Sequence, residues 1–147
     1  MRAAKIGVVG LLTVAASPSP LPAASVATLR VSVEGLRDQK GHLLFCLTRH
    51  TLEYLSCDKD PNAIHASISA NNAAIDFANM APGEWALLMI HDSNANGKLD
   101  KRFGIPREGF GFSGNPPIRF GPPSAGDVQF AVPAGTSEHR LKMRYIF

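Results

Sequence analysis

Residues 91–100 read HDSNANGKLD and place side-chain oxygens at alternate positions, Asp92, Asn94 and Asn96, followed at once by Gly97 and then by Asp100. Hard oxygen donors that converge around a sharp turn are what a calcium loop needs. Counted from Asp92, the side chains fall at loop positions 1, 3 and 5, glycine at 6, the Lys98 carbonyl at 7 and Asp100 at 9, which matches the opening of an EF-hand loop. Position 12 breaks the match, because Phe103 stands where a bidentate glutamate would close the shell. The preceding run, EWALLMI, also lacks the pattern of an amphipathic helix. The loop is therefore expected as an EF-like turn on a β scaffold, with its last donor supplied from further along the chain. Glu108 is favoured for that role, and Ser113 and Asn115 are the other candidates. With Asp92 and Asp100 as the assured charged donors, affinity would be weak, about 10⁻⁴–10⁻³ M. Asp and Asn also build turns through side-chain to backbone hydrogen bonds with no metal at all, so calcium and a metal-free turn both stay open.

Other reactive residues are sparse. Cys46 and Cys57 form an even pair, and in an oxidising compartment a disulfide is the simplest expectation. Closing so short a loop stabilises by roughly 2–3 kcal/mol. A zinc site from Cys46, His50, Cys57 and His65 has no familiar ligand spacing. Ser113 sits in GFSGN, which is not the nucleophile-elbow pattern. His91 and Asp92 are neighbours on a strand and point to opposite faces, so they cannot readily pair. His91 reads as a packed strand-end histidine, and His42, His50, His65 and His139 as surface singles. No enzyme is expected.

The segment 103–126 is rich in glycine and phenylalanine, with Phe103, Phe110, Phe112 and Phe120 among Gly104, Gly109, Gly111 and Gly114. So long a connection in a compact domain is usually functional or disordered, and its aromatics argue against disorder. Two readings follow: a lid in which the phenylalanines plug one end of the fold, or a loop surface for a glycan, a peptide or an envelope protein.

The elements that must position these residues alternate with period two, and helical periodicity is scarce. TLRVSVEGL puts Leu29, Val31 and Val33 on one face, and GHLLFCLT reads as its hairpin partner across RDQKG. TLEYLSCDKDPNA is irregular, with a short helical turn allowed, and the cysteine pair would tie it to the second strand. IHASISA and AAIDFANM are further strands. APGEWALLMI is apolar on both faces, as a central strand is. DVQFAV and HRLKMRYIF complete the set, the last turning Leu141, Met143, Tyr145 and Phe147 inward and Arg140, Lys142 and Arg144 to solvent. About seven short strands with turns between them predict an all-β fold, a single antiparallel β-sandwich of prealbumin-like or Ig-like kind.

The N-terminus, MRAAKIGVVGLLTVAA, carries Arg2 and Lys5, then an apolar stretch from Ile6 to Ala16, then small residues. That is the layout of a signal peptide, with cleavage expected after Ala27. The apolar stretch is shorter than the roughly 20 residues of a membrane span, and no transmembrane segment is expected elsewhere. Residues 28–147 then form one domain. Losing Arg2 and Lys5 takes the formal charge from +3 to +1, so the basic balance points to no nucleic-acid partner, and no basic patch with interleaved aromatics does either. Localisation is expected to be periplasmic or secreted.

The run PGEWALLMIHDSNANGKLDKRFGIPREGFGFSGN, residues 82–115, resembles the DUF2141 family of exported bacterial proteins. Those proteins share a His-Asp-x-Asn-x-Asn-Gly-x-x-Asp segment followed by Phe-Gly-Ile-Pro-x-Glu-Gly and a Gly-Phe-Ser ending. LRVSVEGLRDQKGHLLFCL and HRLKMRYIF are similar too, so the resemblance covers nearly all of residues 28–147. It implies a small β-sandwich and no known enzymatic activity, and hence no catalytic residues. Asp92, Asn94, Asn96, Gly97 and Asp100 match its pattern without an assigned ligand role. The expected function is an exported non-catalytic module with a binding or envelope-assembly role, possessing calcium as a cofactor if the acidic loop holds it; the alternative is a metal-free structural module of the envelope, and a small hydrolase is remote.

Overall fold

The computed structural model describes residues 25–147; the expected signal peptide lies almost wholly outside them, and the cut expected after Ala27 falls at the first residue of β1. Among the described residues ten strands occur, β1 (Ala27–Glu34), β2 (His42–Thr48), β3 (Ile64–Ser69), β4 (Ala74–Met80), β5 (Gly83–Asp92), β6 (Lys101–Arg102), β7 (Ile105–Pro106), β8 (Gly109–Phe112), β9 (Gln129–Val132) and β10 (Gly135–Lys142). A 3-10 helical segment, Thr51–Lys59, and one turn of α-helix, Ala125–Val128, interrupt them.

The strands form three sheets with the orders β10-β1-β4, β3-β2-β5-β8 with β9 also on β5, and β6-β7. The fold is β-rich with mostly antiparallel pairing, as expected, but two features depart from a single antiparallel sandwich of about seven strands. Strand β1 pairs with β10 in parallel, from Ala27 opposite Gly135 to Glu34 opposite Lys142. The segment 103–126, read as a connection, also holds two further strands, β7 and β8, and the short β6 immediately precedes it.

Strand β5 is central, as its two apolar faces predicted. It pairs with β2 along one edge, and along the other with β9 at Gly83–Ala86 and β8 at Leu88–His91. One face, through Trp85, Leu87 and Met89, joins Leu29, Val31 and Val33 of β1, Leu43, Phe45 and Leu47 of β2, and Leu141 in the main apolar cluster, to which both larger sheets contribute. Its other face, at Ala86, packs with Tyr54 and Val128, so the two helical segments cover what would otherwise be an exposed apolar surface. The Cys46–Cys57 disulfide, with Cα atoms 6.2 Å apart, fastens the 3-10 segment to β2.

Strand β8 reads GFGF, and glycine disfavours strands, which is why the sequence pattern hides it. A Cβ on Gly109 would stand 2.5 Å from the Tyr145 ring and 2.8 Å from the Met143 sulfur. The C-terminal segment lies directly on β8, and Phe110 and Arg144 exchange backbone hydrogen bonds at 3.0 and 2.9 Å. Strand β10 consequently ends at Lys142, earlier than expected. Leu141 and Met143 are buried and Tyr145 is partly so, whereas Phe147, expected inward, is 62 % exposed.

Candidate functional site

The Asp/Asn loop leaves the end of β5, where Asp92 is still paired with His42. The Asp92 side chain is buried and turns back on the loop, Oδ1 accepting the Asn96 amide at 3.0 Å and Oδ2 the Gly97 amide at 2.7 Å. Gly97 has φ +80°, a conformation that glycine adopts without strain. Asn94 Oδ1 accepts the Asn96 amide at 3.1 Å, and Asn96 Oδ1 accepts the Lys98 amide at 3.1 Å. The two Asn amide groups then donate to one acceptor, Asp100: Asn94 Nδ2 at 2.7 Å, and Asn96 Nδ2 at 3.0 and 3.1 Å to its two oxygens. These donors, Asn96 foremost, hold the Asp100 carboxyl below its usual range, with smaller help from Lys98 and Arg107.

Glu108 closes the loop. Its side chain is buried, Oε1 accepting the Ser93 amide at 3.0 Å and Oε2 the Asp100 amide at 3.0 Å. The residue favoured as the missing donor is thus brought to the loop. Ser113 and Asn115 are not. Ser113 is buried at the far end of β8, accepting the Leu87 amide at 3.0 Å and donating to the Val128 carbonyl. Asn115 bonds the β10 backbone, donating to Arg140 O and accepting from Lys142 N, both at 2.7 Å. Lys98 joins the loop through its amide N–H, while its carbonyl makes no described hydrogen bond.

A calcium ion would draw on the oxygens of Asp92, Asn94, Asn96, Asp100 and Glu108. All five residues lie in this one loop system, so the donor chemistry is suitable. As arranged, however, the Asn94 and Asn96 amide nitrogens face Asp100, and their oxygens are committed to backbone amides. A cation would need both amides turned. Among the described residues, no group of three or more His, Cys, Asp and Glu side chains is poised to hold a metal.

The four phenylalanines do not form one lid or one surface. Phe110 is buried on β8. Phe112 meets Tyr54 edge-on with centroids 5.8 Å apart. Phe103 and Phe120 are 90 % and 104 % exposed, and they lie on segments that leave opposite ends of β8. The expectation fails because 103–126 is not one loop: β8 inserts into the main sheet and divides it.

Two features escaped the sequence reading. Phe103 and Gly104, at φ +52° and +77°, form the two-residue tip of the β6-β7 hairpin, with Arg102 opposite Ile105. His91, buried as expected, also joins two distant segments, through Nδ1 to the Tyr145 hydroxyl and through Nε2 to the Lys40 carbonyl. The Gly-Ile-Pro sequence after Phe103 was the available signal for the first. For the second there was none, because Tyr145 lies 54 positions away. His139, read as a surface single, is half-buried against Phe130 with ring centroids 4.5 Å apart.

No helix among the described residues is long and apolar enough to cross a membrane. No curated protein and no solved structure matches the chain. The family described as "Uncharacterized protein conserved in bacteria (DUF2141)" matches residues 31–140, a span that includes the Asp/Asn loop, the hairpin, Glu108 and β8. The chain belongs to the DUF2141 family.

Proposed function

We propose that this protein is an exported, non-catalytic binding module on a β-sandwich scaffold, in which the Asp/Asn loop is a rigid, metal-free base that holds out the β6-β7 hairpin toward a partner in the cell envelope. The observation that carries this is the Glu108 carboxylate, which spans the loop from the Ser93 amide to the Asp100 amide. A carboxylate accepting two backbone N–H groups closes the loop as a bound cation would, from the opposite charge. Export is supported by the Cys46–Cys57 disulfide, a bond that persists in oxidising compartments, and by the charged-then-apolar N-terminal sequence.

A second reading, a loop ordered by calcium, is favoured by the alternate spacing of Asp92, Asn94 and Asn96 and by Glu108 reaching the same loop. Amide hydrogen exchange separates the two. In EDTA the amides of Ser93, Asn96, Gly97 and Asp100 should be protected, and Glu108→Ala should expose those of Ser93 and Asp100 while β2 and β5 stay protected. Protection that appears only with millimolar calcium, and is lost in Asp92→Ala, would replace the metal-free reading with the calcium one.

A further inference from the structure

We infer that the β6-β7 hairpin is a membrane-surface contact, in which Phe103 enters the headgroup region of an anionic phospholipid bilayer and the surrounding basic side chains bind the lipid phosphates. This rests on the reading of the Asp/Asn loop as a braced base for the hairpin, and it names the partner.

Three observations carry it. Phe103 is 90 % exposed, and its described ring contact is the Arg102 guanidinium at 5.4 Å. It occupies a tip position at φ +52°, where a bulky L-residue is uncommon and Asn, Asp or Gly is usual. Hydrophobic burial does not explain an aromatic there, and local backbone preference opposes it. An exposed aromatic held in this backbone region points to a role at the tip. The second observation is charge. Lys98, Lys101, Arg102 and Arg107 are exposed around the tip, whereas the loop's carboxylates are committed within it: Asp100 accepts from Asn94 and Asn96, and Asp92 and Glu108 are buried on backbone amides. Among the described residues, none of these four cations lies within ion-pair distance of a carboxylate. The third is shape. Ile105, also exposed, follows the tip, so an apolar point stands ahead of a basic collar. That order, apolar residues leading and cations behind, fits the layering of a bilayer surface, hydrocarbon beneath phosphate. A protein groove would not require the collar.

The test is sedimentation of the mature chain with vesicles of phosphatidylglycerol and phosphatidylcholine in equal parts, and with vesicles of phosphatidylcholine alone. Binding is expected only to the anionic vesicles, falling steeply at about 0.5 M salt as charge is screened. Phe103→Asn creates the residue pair that this turn prefers, so the fold should be at least as stable, yet binding should weaken on the order of tenfold. Lys101→Gln with Arg102→Gln should weaken it on the order of 25-fold, about fivefold for each basic residue near the surface. Equal binding to both vesicle types, or a Phe103→Asn variant that binds like the parent, overturns the inference. Absent vesicle binding in a chain whose Ser93 and Asp100 amides remain protected overturns the lipid contact alone and leaves the braced loop standing. Phe103-dependent vesicle binding without that protection supports the contact and removes the brace.

Discussion

His91 Nδ1 lies 2.6 Å from the Tyr145 hydroxyl, joining the central strand to the C-terminal segment. The bonds around the pair set their direction. The Lys40 carbonyl, 2.8 Å from Nε2, can only accept, so Nε2 carries a proton, and the tautomer that satisfies both contacts leaves Nδ1 to accept from Tyr145. Burial pushes the Tyr145 phenol above its ordinary value, so it keeps the proton it donates. Its oxygen accepts the Arg37 amide at 3.2 Å. One histidine thereby fixes the β1-β2 turn and the C-terminus to β5.

Tyr145→Phe tests that latch. It leaves the Nδ1 of a fully buried imidazole without its partner, at a cost of about 1–3 kcal/mol. Thermal melting should fall by roughly 5 °C for each kcal/mol lost. A melting temperature equal to the parent's would show that the bond contributes nothing.

Gly109→Ala should destabilise for a different reason. The added methyl would press on the Tyr145 ring and the Met143 sulfur, and such overpacking costs about 1–3 kcal/mol. Fluorescence or NMR signals of Tyr145 should shift as the C-terminal segment lifts. Unchanged Tyr145 signals with full stability would mean that the segment does not rest on β8 in solution.

Asp60 supplies a pH test away from the loop. The Thr48 hydroxyl at 2.6 Å, with the Asn62 amide behind it, lowers its carboxyl below the ordinary 3.8. A depressed folded value means stability that is present above the unfolded value and lost as pH falls through the folded one. Thr48→Val should therefore raise the Asp60 value in an NMR titration. The part of its destabilisation that comes from Asp60 ionisation should be evident at pH 7 and shrink below about 3.8. An unmoved titration would refute the assignment.

The cysteines give a fourth expectation. Replacing both by serine frees a loop with a sequence separation of 11, and the denatured chain gains entropy worth about 3 kcal/mol. Denaturant midpoints should drop accordingly. Alkylation of the unreduced, unfolded parent should label neither thiol; labelling of both would remove the bond and its support for export.

Much of the architecture was legible in local pattern. Period-two alternation located β1 to β5, β9 and β10, and the doubly apolar run identified β5 as central, because a strand covered on both faces must be apolar on both. The Asp/Asn spacing located a tight turn, and Glu108, expected beyond it as a metal donor, instead accepts two backbone amides of that turn. Glycine hid β8: the residue is present so that Tyr145 and Met143 can approach, and that packing need acts against strand propensity. The division of the four phenylalanines followed from the same omission.

The sequence by itself determined the β class, the central strand, the disulfide partners and the acidic turn, since each depends on residues close in the chain or on the only two cysteines it has. Tertiary structure alone decided that β1 and β10 run parallel, that the Asn94 and Asn96 amides face Asp100, that His91 meets Tyr145, and that Phe103 stands exposed while Phe110 is buried. Alternation is the same for either strand direction, and an amide's orientation depends on which acceptor the fold brings near. These outcomes rest on contacts between distant residues, and no local pattern encodes them.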